Sequence, residues 1–167
     1  DDATFESVVE NLAIDKNGVY TFGNLSDLKL EFLGTIYHHI QSHEYYFTDG
    51  ESIYFVNQND ETPELKKLKG VDQKSFRIQP MNGEGSDNIA LDDFSLFQGG
   101  QKVENSAGGD FKFIENSTFY PKDGNEMPKL YAQDSERVYL MTCYEGCYFS
   151  DPLTDSDAAS FVTLGEG

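Results

Sequence analysis

The feature that most constrains this chain is its likeness to itself. Displaced by 85 residues, Tyr46 falls on Tyr131, Asp49 on Asp134 and Glu51 on Glu136. With the same displacement and no gap, Ile53 meets Val138, Tyr54 meets Tyr139, Asp72 meets Asp157, Ser75 meets Ser160 and Phe76 meets Phe161. Two signatures recur, Asp-x-x-x-(Val/Ile)-Tyr and then Asp-x-x-Ser-Phe, spaced identically from 49 to 76 and from 134 to 161. Such a period points to an array of one supersecondary unit that buries its apolar face only by stacking on its neighbours.

Weaker copies surround the clear ones. Asp15 to Tyr20 carries the first signature, Asp92 to Phe97 carries it with Leu-Phe at its end, and Glu115 to Tyr120 carries it with Glu for Asp. Asp1 to Phe5 carries the second signature with Thr for Ser, and Ala107 to Phe111 matches only at its Phe. The chain thus reads as a single domain with clear units at 45–78 and 130–164 and degenerate units at 1–40 and 88–129, opening and closing on the tail of a unit.

The residue types give each signature a physical meaning. Aromatic and β-branched residues on both sides of Asp49 and Asp134 read as two short strands, because such side chains suit a pleated, half-buried surface. Asp-Gly-Glu-Ser and Asp-Ser-Glu-Arg between them are turns, in which the Asp side chain accepts from N–H groups two residues on. Asp72 and Asp157 read as caps of one helical turn that docks Phe76 or Phe161 in the core. The expected class is therefore mainly β: antiparallel hairpin units, each closed by a short helical turn. The alternative use of these Asp residues, cation binding, meets the objection that one carboxylate per turn is a poor site.

These residues resemble the DKNYY family, bacterial repeat proteins of unknown function. Asp15-Lys16-Asn17 reproduces the first three letters of the family's motif, and Val19-Tyr20 is similar to the strand after it. Tyr131-Ala132-Gln133-Asp134 and Gly70-Val71-Asp72-Gln73-Lys74-Ser75-Phe76 resemble the opening and closing of its unit. The resemblance implies a bacterial source and repeated hairpins. It implies no reaction, cofactor or catalytic residue.

Charge and cysteines bound the setting. With 12 Lys and Arg against 30 Asp and Glu, the net charge of −18 repels nucleic acid and anionic membranes and leaves a basic partner open. The same charge also serves plain solubility. No apolar run approaches the roughly 20 residues of a membrane span. Cys143 and Cys147 flank Tyr144-Glu145-Gly146, a loop length that sets residues face to face across a hairpin within disulfide reach. An even count fits an oxidising, extracytoplasmic compartment. A reduced pair remains the alternative, and a redox or half-metal site lacks the spacing or further ligands such chemistry needs.

Other candidates are weaker. His38, His39 and His43, with Glu44, form a possible metal cluster if 38–43 is helical, but Ile40 stands where a protease motif needs Glu. Gly83-Glu84-Gly85 lacks the rest of a phosphate-binding fingerprint, and neither Lys122–Glu126 nor Asp151–Asp157 has the ligand alternation of a calcium loop. Phe5, Val8, Val9 and Leu12 have helical spacing, and Thr62-Pro63-Glu64 reads as a helix start in competition with an extended strand. Leu25–Ile40 is open to sheet or helix. Hairpins are expected around Gln98–Gly100, around Glu115–Ser117 and within Leu130–Phe149.

Three functions follow from these readings. The first is a non-enzymatic binding module of a bacterial cell-envelope or secreted protein, without cofactor, recognising a protein or envelope component. The second is an acidic inhibitor or immunity-type protein that masks a basic partner, and the third is a hydrolase with an acidic or metal site. None assigns a catalytic residue.

Overall fold

The computed structural model describes residues 6–9, 12–15, 18–21, 24–25, 28–38, 42–57, 64–80, 88–114, 129–143, 147–153 and 156–162. They form four antiparallel sheets of four strands, each a meander in which every strand pairs with the next in sequence. The first sheet is β1 (Glu6–Val9), β2 (Leu12–Asp15), β3 (Gly18–Thr21) and β4 (Asn24–Leu25). The second is β5 (Glu31–His38), β6 (Ser42–Thr48), β7 (Ile53–Asn57) and β8 (Lys66–Lys67). The third is β9 (Arg77–Pro80), β10 (Asn88–Leu91), β11 (Leu96–Gln98) and β12 (Gln101–Lys102). The fourth is β13 (Lys112–Phe113), β14 (Lys129–Gln133), β15 (Val138–Cys143) and β16 (Cys147–Pro152). Among the described residues there is no helix.

Several local expectations are corrected by this arrangement. Glu6–Val9 and Leu12–Asp15 are strands, so the helical spacing of Phe5 to Leu12 yields to β-branched Val8 and Val9. Leu25–Ile40 contributes β4 and the eight-residue β5, and Lys66–Lys67 is extended rather than helical. The expected helical turns at Asp72 and Asp157 are single hydrogen-bonded turns, Ser75 N–H to Asp72 C=O at 3.3 Å and Ser160 N–H to Asp157 C=O at 3.2 Å. A helix has no room there, because the Phe that ends the first of these turns is followed at once by strand β9. β13 pairs with β14, and the hairpin expected around Glu115–Ser117 lies outside the described residues.

The sheets are held face to face by three shared cores. Val19 of the first sheet meets Tyr45, Phe47 and Val56 of the second. Ile36, Tyr46, Ile53 and Phe55 on the other face of the second meet Ala90 and Phe97 of the third. Ile89, Leu91 and Leu96 of the third meet Leu130, Ala132, Tyr139 and Met141 of the fourth. The second and third sheets are thus covered on both faces, which explains why Tyr45-Tyr46-Phe47 is a continuous apolar run instead of an alternation. The join from the last strand of one meander to the first strand of the next is the connectivity of folds that repeat small sheets.

The meander fixes which connections share an end. The described turns between second and third strands, at 49–52, 92–95 and 134–137, fall at one end with the described links at 68–76 and 103–111, and the Gly99–Gly100 turn falls at the other.

Candidate functional site

The end built by the aspartate turns is where the signature residues gather. In the second sheet the Asp49 carboxylate accepts from the N–H groups of Glu51 and Ser52 at 2.9 and 2.7 Å and from the Tyr54 hydroxyl at 2.8 Å. In the fourth, Asp134 accepts from the N–H groups of Glu136 and Arg137, both at 2.8 Å, and from the Tyr139 hydroxyl at 2.5 Å. In the first, Asp15 accepts from Gly18 N–H at 3.2 Å and the Tyr20 hydroxyl at 3.3 Å. The Tyr five residues after each Asp is therefore a donor to the turn as well as a strand residue. A carboxylate placed this way satisfies backbone donors that the tight turn leaves without strand partners.

The third sheet does the same with different residues. Asp92 is buried and accepts from Phe94 N–H at 2.7 Å. Phe97 replaces the Tyr and brings no hydroxyl; the second carboxylate oxygen instead accepts from Asp72 N–H, in the link leaving the second sheet, at 2.7 Å. Asp134 takes the corresponding bond from Ala107 N–H at 2.8 Å. Ala107 thus stands where Asp72 stands and contributes only its backbone. Ser75 Oγ donates to Asp72 and Ser160 Oγ donates to Asp157, each at 2.6 Å. The Ser160 hydroxyl and then the Ala159 N–H hold the Asp157 carboxyl below its usual range.

These links close tightly on their neighbours. A Cβ on Gly108 would strike the Asp92 carbonyl, so this position in the third link admits only glycine without movement. Arg77 fastens the same place, donating to the Ser75 carbonyl at 3.1 Å and the Gly108 carbonyl at 3.4 Å and pairing with Asp93 at 3.1 Å. Phe76 is half-buried between the rings of Tyr46 and Phe97, with centroids 5.7 and 6.0 Å away. Phe111 is buried against Phe113, Tyr139 and Phe149. Phe161 is half-buried and rests on Tyr131 at 5.2 Å.

A second polar group lies in the seam between the second and third sheets. Glu44 is buried and accepts from the Tyr46 hydroxyl at 2.5 Å and from Gly99 N–H at 2.7 Å. Burial, then the charge of Glu44, pushes the Tyr46 phenol well above its ordinary value. Burial and then the hydrogen bond to Asp134 push Tyr139 up as well. Gly100, at φ +65°, lies under the Phe55 ring, where a Cβ would overlap the ring atoms. Glu44 appears in the sequence only as a neighbour of the histidines; its flanking Tyr45, Tyr46 and Phe47 are the signal that it is enclosed.

The helix that would set the histidines on one face is replaced by two paired strands. His38 ends β5 and His43 lies in β6, on antiparallel strands in which His38 pairs with Ser42 and Tyr37 with His43, so no helix face presents them together. His39 lies outside the described residues. Among the described residues no group of three His, Cys, Asp or Glu side chains is placed to hold a metal ion. Cys143 and Cys147 are direct register partners in β15 and β16. Gly83–Gly85, Lys122–Glu126 and Thr154–Asp155 lie outside the described residues. Among the described residues no helix is long and apolar enough to cross a membrane.

No curated protein and no solved structure matches this chain. A family model does, over residues 1–135, which takes in the first three sheets and the fourth as far as the Asp134 turn. By that match, and with its Asp–Tyr turns in the first, second and fourth sheets, the chain belongs to the DKNYY family.

Proposed function

We propose that this chain is a non-enzymatic binding module of a bacterial cell-envelope or secreted protein, built from stacked DKNYY-like units. One observation carries the reading: the turn aspartates that recur in the sequence are consumed by the fold. Asp49, Asp92 and Asp134 are occupied by turn N–H groups, tyrosine hydroxyls or the preceding link, an arrangement that fixes structure and leaves little capacity for acid–base work. Stacked small sheets present long surfaces, which repeat proteins use for binding.

The extracytoplasmic setting is supported by the register that sets Cys143 opposite Cys147. Oxidation there transfers two electrons and two protons from the pair of thiols to the disulfide of a thiol–disulfide oxidant, forming one bond across the hairpin and releasing two thiols on the oxidant. Non-reduced protein from its native source should be lighter by two hydrogens than the reduced form, with a single link between the two cysteines. Two free thiols in that sample would count against the setting.

The binding reading is tested by affinity capture from source extract at low and high salt, with captured species identified by mass. A partner retained in both conditions supports it, and repeated absence of any protein, glycan or lipid partner overturns it. Exposed Glu51, Asp93, Asp110, Glu136 and Asp157 at the turn end favour a second reading, the masking of a basic partner. Capture of a basic protein at low salt and its loss at high salt would select that reading, since salt screens exposed charges.

A further inference from the structure

Three turns share one hydrogen-bonded frame, and at their exposed third position two carry an acid and one an aromatic ring. The third residue of each donates its N–H to the turn aspartate: Glu51 to Asp49 at 2.9 Å, Phe94 to Asp92 at 2.7 Å and Glu136 to Asp134 at 2.8 Å. The backbone therefore has the same task in all three, and the side chain has none in the turn. Two copies carry the solvent-compatible Glu. The third carries a Phe that is 67% exposed. Isolated exposed apolar residues are ordinary on protein surfaces. Here the other exposed large hydrophobics among the described residues stand at the same end: Phe32 and Leu33 at the start of β5, where Glu31 pairs with Thr48 beside the Asp49 turn, and Val162 after the Asp157 turn.

We infer that Phe94 is the anchor of a protein-binding surface at the turn end, and that its partner is a basic segment carrying apolar side chains. This rests on the binding-module reading and names where the module binds; the apolar anchor keeps the partner bound at high salt, which separates it from masking by charge alone. Aromatic anchors ringed by polar groups are the usual form of an interaction hot spot. The sign of the partner follows from the surroundings. Exposed acids at this end are Glu31, Glu51, Asp93, Glu104, Asp110, Glu136 and Asp157, against Lys29, Lys67, Lys69, Lys74 and Lys112. Arg77 is tied to Asp93 and to two carbonyls beside the turn. With −18 on the whole chain, an acidic partner is repelled on approach and a basic one is drawn in.

The test uses two labelled synthetic peptides in fluorescence anisotropy, one alternating Lys and Arg with Leu and Phe, the other with Glu and Asp in place of the bases. The expected result is binding of the basic peptide, weakened at least about tenfold by Phe94→Glu and also reduced by Phe94→Ala. Melting of Phe94→Glu should be unchanged, because Glu already occupies this position in two turns. Equal binding by wild type and Phe94→Glu, equal binding of the acidic peptide, or binding of neither peptide overturns the inference. So does a wild-type dimer in sedimentation that Phe94→Glu converts to monomer, which would make a second copy the occupant. If Phe94→Glu still captures the partners retained from source extract, this surface is wrong while the module reading stands; if wild type captures none, the module reading itself fails.

Discussion

Asp49 and Asp134 occupy equivalent turns, and their surroundings differ. Asp49 accepts from three donors, all within five residues of it, in a turn open to solvent. Asp134 is buried and accepts from four, one of them the Ala107 N–H of the link entering its sheet. The first is a local turn fastener. The second is also a joint between successive sheets. The same difference separates the aromatic ends of the links: Phe111 is enclosed between the third and fourth sheets, and Phe161 lies half-buried on Tyr131. One sequence signature therefore carries different energetic weight according to what is stacked on it.

The largest expected effect is at Phe111. Phe111→Ala should cost about 3–5 kcal/mol in urea melts, as for a fully buried ring, and Phe161→Ala about 1–2 kcal/mol, scaled to its half burial. Equal losses would erase the distinction between the enclosed and the half-buried link. Next comes Asp134→Ala, which strands several donors in the interior and should cost about 3 kcal/mol. Asp49→Ala should cost clearly less, since water can replace its carboxylate; equal losses in the same melts would show that the joint adds nothing to the turn.

Smaller changes sharpen the contrast. Tyr139→Phe should cost about 1–2 kcal/mol and Tyr54→Phe less than about 1 kcal/mol, because only the first hydroxyl donates to a carboxylate enclosed by the fold. The last effect concerns pH. The Glu51 N–H and then the Tyr54 hydroxyl hold the Asp49 carboxyl below its ordinary 3.8. A lowered native value stabilises the fold above the ordinary value, and the contribution fades as pH falls through the native one. The stability difference between wild type and Asp49→Asn is therefore expected to be full at neutral pH and to close below about pH 4. A difference that persists unchanged into acid would remove the charge of Asp49 from the account.

The comparison also explains what was legible beforehand. Strands around Asp49 and Asp134 were readable because the motif is written in side chains: an Asp that needs donors and a Tyr that supplies one. The third sheet was hard to read because it meets the same demand through the backbone. Asp72 N–H and Ala107 N–H are donors that any residue but proline offers, so Ala107 leaves no trace in the sequence. Asp-x-x-Ser looked like a helix cap for a sound reason, since its carboxylate does accept from following donors. What it could not show is that the next strand begins after one turn. In the sequence Phe94 stands only within a degenerate repeat; its exposure becomes informative beside Glu51 and Glu136, which do the same backbone task.

The bond from Gly99 N–H to Glu44 spans 55 residues and ties the second sheet to a turn made later in the chain. Arrays of small units often fold piecemeal, with stability that grows one unit at a time. Here the second unit cannot complete itself. A chain cut before Gly99 would have to solvate or neutralise Glu44 and would leave the Phe55 ring without its cover at Gly100. Truncation from the C-terminal side should therefore show a threshold at this turn instead of a graded decline. Fragments that stop short of it would lack a cooperative transition, and the second and third sheets would be acquired together as one inseparable step.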